Sequence, residues 1–263
     1  MPDGFLRPDW PAPACVHAWV ATRKAPGVSG PPYDRCNLGD HVGDDPIAVR
    51  RNRECVQSAL ALPSAPLWLS QVHGVDVLDA SRHAGPPGVA PVADAAYTRH
   101  PGQVLVVMTA DCLPLLICAD DGSEVAAVHA GWRGLAAGVI EATVEKMRTP
   151  PGRLIAWLGP AIGPQAFEVG ADVRAAFLPS AGGAAAFVPI PARDGVDKWH
   201  CDLYQLARLR LAAQGISRTS GGDACTVTDA ANYFSHRRDR MTGRIATLIW
   251  MSPPGVGAPH RQP

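Results

Sequence analysis

A chain of 263 residues, 47% of them hydrophobic, can bury a substantial core as one large α/β or β-rich domain, or as two small ones. Its 24 lysines and arginines balance 24 acidic residues, which removes the electrostatic case for nucleic acid or an anionic membrane as a partner. No apolar run reaches the roughly 18 residues of a membrane-spanning helix. The start, MPDGFLRPDWPAPACV, lacks the basic and then apolar order of a secretion signal. Seven cysteines without a C-x-x-C pair argue against a disulfide framework and for the cytoplasm.

Residues 1–13 carry four prolines and are expected as an extended arm. VHAWVAT at 16–22 reads as a strand, and 23–45, dense in Gly, Pro, Asn and Asp, reads as a long irregular segment of the kind that is usually functional or disordered. Asp45 followed by Pro46 marks a helix start, and the pattern continues to Leu60. LWLSQV at 67–72 is expected as a strand ending at His73, with Val75–Leu78 continuing it beyond a kink; a Pro/Gly loop follows at 82–92. Apolar runs at Val104–Met108, Leu115–Ala119 and Val125–Val128 read as buried strands; the first is followed by Thr109, Ala110, Asp111 and Cys112, and the third delivers His129 to the Ala130-Gly131 loop. LAAGVIEATVEKM is expected as one helix ending near Met147, stopped by Pro150-Pro151. Leu154–Leu158 and Ile245–Met251 read as strands, Ala171–Phe177 and Leu203–Ala213 as helices, the latter capped by Asp202. Residues 179–196 carry no clear pattern, and Ser220–Gly222 reads as a turn. With no repeat and no composition break, 14–251 is expected as a single catalytic domain and 252–263 as a disordered tail.

Three apolar runs end in or beside a reactive side chain: His73, Cys112 and His129. Two imidazoles and a thiolate make a zinc set whose fourth position is left for water or substrate. They lie much further apart in sequence than the close pairs of a zinc finger, so only the fold can bring them together. Taken singly, such residues are more often packed into a core. The same residues also fit a Cys112 nucleophile with His129 as base, for which Asp111 is the nearest orienting group, although a neighbour in a strand points to the other face. Copper accepts two histidines and a cysteine as well. A multicopper cluster, however, uses His-x-His pairs, and the nine histidines here include none.

Arg133 sits in a Gly-flanked turn before a helix, where an anion or a surface salt bridge would serve equally well. The Arg237-Arg238-Asp239 cluster, followed by Thr242-Gly243-Arg244, reads as a solvated hairpin turn before it reads as a phosphate clamp.

The segments NLGDHVGDDPIAVRRNR (37–53), SQVHGVDV (70–77), TADCLPLLI (109–117), VHAGWRGLAAGVI (128–140), LGPAIGPQAFEVG (158–170) and YFSHRRDRMTGRIATLIW (233–250) together carry a resemblance. The chain resembles the bacterial family once described as multicopper polyphenol oxidoreductases (laccases), now as purine nucleoside phosphorylases, with relatives read as peptidoglycan editing factors. The resemblance implies an α/β fold as one four-layer α/β/β/α domain, with His73, Cys112 and His129 as zinc ligands (copper being the lesser alternative). It also implies Asn37, Arg53 and Arg133 as substrate or phosphate contacts. The implied reaction is phosphorolysis of adenosine, inosine and methylthioadenosine, with adenosine deamination as a side activity. The implied partners are small molecules, a purine nucleoside and phosphate, not nucleic acid or membrane. Three departures bear on loop conformation and substrate preference: TRKAPGVS at 22–29 in place of a Gly-Gly, Cys36 for serine, and His236 for tyrosine. Editing of muropeptide precursors by the same Cys/His site, and a metal-binding module without turnover, remain as alternatives.

Overall fold

The structure, a computed structural model, describes residues 2–83, 88–193 and 195–253. The proline-rich start is not wholly a free arm: β1 (Phe5–Leu6) pairs antiparallel with β2 (Val16–Ala21). Residues 23–45 are irregular, as expected, and side chains supply hydrogen bonds that regular structure would have made. Asn52 of α1 (Pro46–Ala59) is buried; it accepts from the Val28 N–H and donates to Ser29 and to the Asn37 carbonyl. Asp45 caps α1 by accepting from the Ile47 N–H, with Pro46 in the first turn.

Leu67–Val72 is not a strand. Only isolated bridges form, Leu67 to Leu105 and Ser70 to Val92. The Gln71 side chain takes the place of a ladder by bonding both the N–H and the carbonyl of Met108, each at 2.8 Å. Regular pairing resumes only at β3 (Val77–Asp79). There follow β4 (Ala95–Thr98), β5 (Leu105–Thr109), β6 (Leu113–Ala119) and β7 (Val125–Ala130), which contains His129 rather than ending before it.

The helix expected after His129 is two helices, α2 (Trp132–Ala137) and α3 (Val139–Lys146), divided at Gly138. Gly138 takes a left-handed φ of 101°, a conformation that ends one helix where the next begins. Next come β8 (Leu154–Leu158), β9 (Glu168–Val169) and α4 (Ala171–Phe177). The unassigned stretch supplies a 3₁₀ turn at Gly183–Ala186 and β10 (Phe187–Arg193), which pairs with β11 (Val196–Cys201). Then come α5 (Leu203–Ala213), capped by Asp202, and β12 (Arg218–Gly221), which replaces the turn expected at 220–222. The last elements are the short α6 (His236–Asp239) and β13 (Ile245–Met251). From Pro254 on, the expected tail lies outside the described residues.

The strands form a four-stranded sheet in the order β1-β2-β13-β5, a six-stranded sheet β12-β8-β6-β7-β4-β3, and a three-stranded sheet β10-β11-β9. Side-chain alternation sets the layering. In β2, Val16, Ala18 and Val20 enter the core between the two large sheets, while Ala21 and Trp19 turn to the outer core under Val56 of α1. In β6, Leu116 and Cys118 face that shared core, while Leu113, Leu115 and Ile117 pack beneath α3, α4 and α5. The result is helix, sheet, sheet, helix, the four layers that the resemblance implied. No helix among the described residues is long and apolar enough to cross a membrane.

This topology brings chemistry to one edge. β7 runs antiparallel to both β6 and β4, so the end of β7 lies beside the starts of both. His129, Cys112 and Asp94 therefore meet there, together with the loop that leads into β3.

Candidate metal centre

His73, Cys112 and His129 converge, each offering one ligand atom, and these atoms all lie within 4.8 Å of one another. Two of the three depend on unusual backbone. His73 has φ 62°, and Asp111, just before Cys112, has φ 88°. L-residues rarely adopt such values, and here surrounding bonds impose them.

Asp94 imposes the first. Its buried carboxylate accepts from the N–H groups of Val72 (3.2 Å), His73 (2.9 Å) and Gly74 (2.6 Å), and from His129 Nδ1 at 2.8 Å. The second is imposed on Asp111, whose carboxylate accepts from Thr226 Oγ1 and the Arg237 N–H, both at 2.6 Å, while its carbonyl accepts from the Ile162 N–H. Asp111 is thereby committed to the Cys112 turn and does not orient His129. That task falls to Asp94.

A carboxylate can only accept, so His129 Nδ1 carries the proton and Nε2 is left to face the cluster. Cys112 Sγ lies 3.6 Å from His73 Nε2. Ligands of one tetrahedral zinc, with bonds of about 2.3 Å to sulfur and 2.0–2.1 Å to nitrogen, stand about 3.6 Å apart. The donor set and this spacing fit a metal ion. The two imidazoles cross edge to face, with centroids 4.8 Å apart.

Gly131 closes the far side. A Cβ there would come within 2.9 Å of His73 Cδ2 and 3.0 Å of Cys112 Sγ. Gly131→Ala is therefore expected to push these two ligands apart and lower metal affinity about tenfold or more, with the fold intact. Chelator competition alongside thermal unfolding checks this; unchanged affinity would show that the contact is slack.

Burial disfavours a thiolate at Cys112, but His129 and His73 outweigh it and bring its pKa down to about 6. Burial likewise disfavours charge on His129, yet Cys112 and Asp94 outweigh it and raise its pKa to about 9. Without a metal, the pair is thus a thiolate beside an imidazolium. Burial also works against Asp94, and the bonds from His129 and Gly74 more than offset it, so its carboxyl stays below the usual range. These groups suit a cation ligand site, and they also suit an activated thiol.

The other expected contacts divide. Asn37 is fully buried and braces its own loop: Oδ1 accepts from the N–H groups of Gly39 and Arg244, and Nδ2 donates to the Gly39 carbonyl and to Asp44. Arg53 clasps the Leu38 carbonyl, pairs with Asp40 at 3.3 Å and stacks on Trp68. Arg133 lies inside α2, not in a turn before it, and is exposed with its guanidinium 4.4 Å from the centroid of Trp132. Two residues carry more than their sequence signals suggested. Asp94 is one, marked only as a lone acid at the head of an apolar strand. The other is Arg244, whose charge acts on both Cys112 and Asp111.

The sequence pattern described as multi-copper polyphenol oxidoreductase laccase matches residues 17–252. The chain belongs to that family. Among the described residues this laccase-family chain has one cluster of at least three metal-ligating side chains, so the multi-copper part of the description has no second cluster to match it. The chain is 53% identical over 248 residues to a protein of Escherichia coli (strain K12) named purine nucleoside phosphorylase YfiH, covering 94% of this chain and 98% of that one. It is 52% identical over 258 residues to a Xylella fastidiosa (strain Temecula1) purine nucleoside phosphorylase, covering 95% and 98%. Among solved structures, Neisseria meningitidis protein NMB0706 superposes with a TM-score of 0.88 at 47% identity, covering 95% of this chain and all of that one. YlmD from Geobacillus stearothermophilus follows at 0.84 and 31%, covering 96% and 98%.

Proposed function

We propose that this laccase-family chain is a zinc-dependent purine nucleoside phosphorylase, splitting adenosine, inosine and methylthioadenosine with phosphate, with adenosine deamination as a side activity. The observation that carries the reading is the His73–Cys112–His129 cluster, with the charges of Arg244 and Cys112 acting on each other, in a chain about half identical to proteins named for that reaction. His73, Cys112 and His129 hold the ion, Asp94 fixes the His129 ring, and Gly131 leaves the room these ligands need. The bound metal supplies a Lewis acid at an open coordination position. Phosphorolysis places an anion beside C1′ of the ribose as positive charge develops there, and arginines at the rim are suited to hold it. Arg53 and Arg133 remain assigned to substrate or phosphate in this reading, while Asn37 shapes the loop that carries Leu38 to Arg53.

The ion pair of Cys112 and His129 favours a second reading, a thiolate nucleophile acting on muropeptide precursors. One set of assays separates the two. Protein purified without added metal is expected to contain about one zinc per chain, and adenosine is expected to be consumed only when phosphate is present. Cys112→Ala is expected to lose both the metal and the activity. A metal-free Cys112→Ala protein that still splits adenosine would overturn the proposal, and phosphate-independent amide cleavage of a muropeptide would favour the second reading.

A further inference from the structure

Unlike Arg53, which has Asp40, Arg244 keeps one edge of its guanidinium uncommitted beside the cluster. Antiparallel pairing of Ile245 with Thr109 sets Arg244 across from the Ala110-Asp111-Cys112 turn. Its main chain is fixed: the N–H donates to Asn37 Oδ1 at 2.9 Å, and the carbonyl accepts from the Leu38 N–H at 3.1 Å. Its side chain lies flat on Gly39, where a Cβ would approach Arg244 Cγ to 2.7 Å. Nη1 donates to the Thr242 and Gly243 carbonyls. Among the described residues no bond occupies Nε or Nη2 and no carboxylate pairs with this guanidinium, whereas Arg53 has Asp40.

We propose that Arg244, with His41 beside it, forms the anion subsite of this centre and receives inorganic phosphate. A half-buried guanidinium without a counter-ion is costly, and an anion at its free Nε–Nη2 edge would relieve that cost through two parallel charge-assisted bonds. Burial holds Arg244 below the usual arginine range despite the charges of Cys112 and Asp111. Neither makes a bond to the guanidinium: the Asp111 carboxylate accepts from Thr226 Oγ1 and the Arg237 main-chain N–H, and Cys112, once bound to a cation, would share its charge there. The fields of Arg244 and Arg53 both act on the exposed His41, which partial burial and these charges keep neutral; its Nδ1 N–H faces Asp40 at 3.5 Å, leaving Nε2 to accept from the P–OH of hydrogen phosphate on the same rim. A rim of this charge beside a divalent ion is a trap for a small multivalent anion.

The choice of phosphate rests on the phosphorylase reading; the subsite itself does not. Arg244→Met keeps the length and packing of the side chain and removes its charge. With metal loading and thermal unfolding as controls, it is expected to raise the KM for phosphate by about 10- to 100-fold, the value of a charge-assisted bond, with the adenosine KM within about twofold. Arg244→Lys, which cannot make two parallel bonds, is expected to recover only part of the loss. Should Arg244→Met not fold, His41→Gln at its exposed position serves instead, with an expected fall of about fivefold in phosphate affinity measured by calorimetry. Folded, metal-loaded variants whose phosphate KM and affinity match the parent would overturn the subsite, even if the parent splits adenosine. A parent that binds inorganic phosphate through Arg244 but leaves adenosine intact would instead refute the phosphorylase reading and keep the subsite.

Discussion

Asp94→Ala is expected to weaken metal binding by about 10- to 100-fold and to destabilise the fold by about 3–5 kcal/mol. Four donors converge on this one carboxylate: Oδ1 accepts from the His73 N–H and His129 Nδ1, and Oδ2 from the N–H groups of Val72 and Gly74. Alanine leaves all four without an acceptor. It frees the His73 backbone from its φ of 62° and lets the His129 ring turn. Asparagine is nearly isosteric, yet one of its two faces donates, so whichever way it flips it opposes two of the four donors. If the amide NH₂ faces His129, the imidazole must accept at Nδ1, and its remaining proton moves to Nε2, where it blocks a cation. Backbone N–H groups cannot shed their protons and the imidazole can, so the amide turns its NH₂ to His129, and Asp94→Asn is expected to keep more stability than Asp94→Ala and still lose the metal. Urea unfolding and chelator competition on both variants separate the two effects. Metal affinity within twofold of the parent in Asp94→Asn would show that the tautomer is not controlled from this residue.

The elements legible in the sequence are those whose causes are local. Asp45-Pro46 starts α1 and Asp202 starts α5 because cap and first turn are adjacent in the chain. β2, β8 and β13 are apolar runs bounded by turn residues, and they pair as such. Leu67–Val72 has the same pattern and fails for a reason that periodicity cannot register. Gln71 bonds the Met108 main chain with its side chain, and Asp94 takes the amides that follow. The division of the expected helix at Gly138 was signalled by the glycine, but composition on either side outweighed it. β10 arises from a Gly/Ala/Pro-rich stretch with no alternation to read; its pairing with β11, and that of β11 with β9, are tertiary events.

The site shows the same divide. His73, Cys112 and His129 stood out because each follows or ends an apolar run, and a strand end is where a rigid sheet presents a side chain. Nothing in that pattern says that β7 lies between β4 and β6, which is what closes the cluster. Asp94 carries no signal of its own in the sequence, because a lone acid before a strand is common, and only its four donors give it meaning. Asn37 and Arg244 exchange emphasis for a related reason. Asn37 uses its side chain on its own loop, and Arg244, from a segment that reads as a hairpin turn, is a cation whose charge acts on Cys112.

Iodoacetamide should alkylate Cys112 of the metal-free protein with a pH midpoint near 6, well below an ordinary thiol. The sign follows from which charged form the site favours. Burial alone would raise the thiol's pKa, but His129 and His73 stabilise the thiolate by more than burial penalises it, and the value falls from 9.0 to about 6. Above that pH the thiolate predominates and the rate levels off; below it the proton returns and the reaction slows. His129→Ala removes the larger of the two opposing charges, so burial regains ground and the midpoint is expected to move upward. Cys36 and Cys201 supply an internal reference, since burial pushes both thiols up to about 12 and they should stay unlabelled throughout. Stoichiometric zinc should then abolish labelling of Cys112 at neutral pH, read by peptide mapping because Cys15, Cys55 and Cys225 are also partly exposed, since the lone pair that attacks the reagent is the one that binds the ion. A midpoint near 9 would mean that Cys112 and His129 are not charge-paired. Labelling that zinc leaves unchanged would mean that Cys112 is not a ligand, and the thiol-nucleophile reading would then take precedence over the metal.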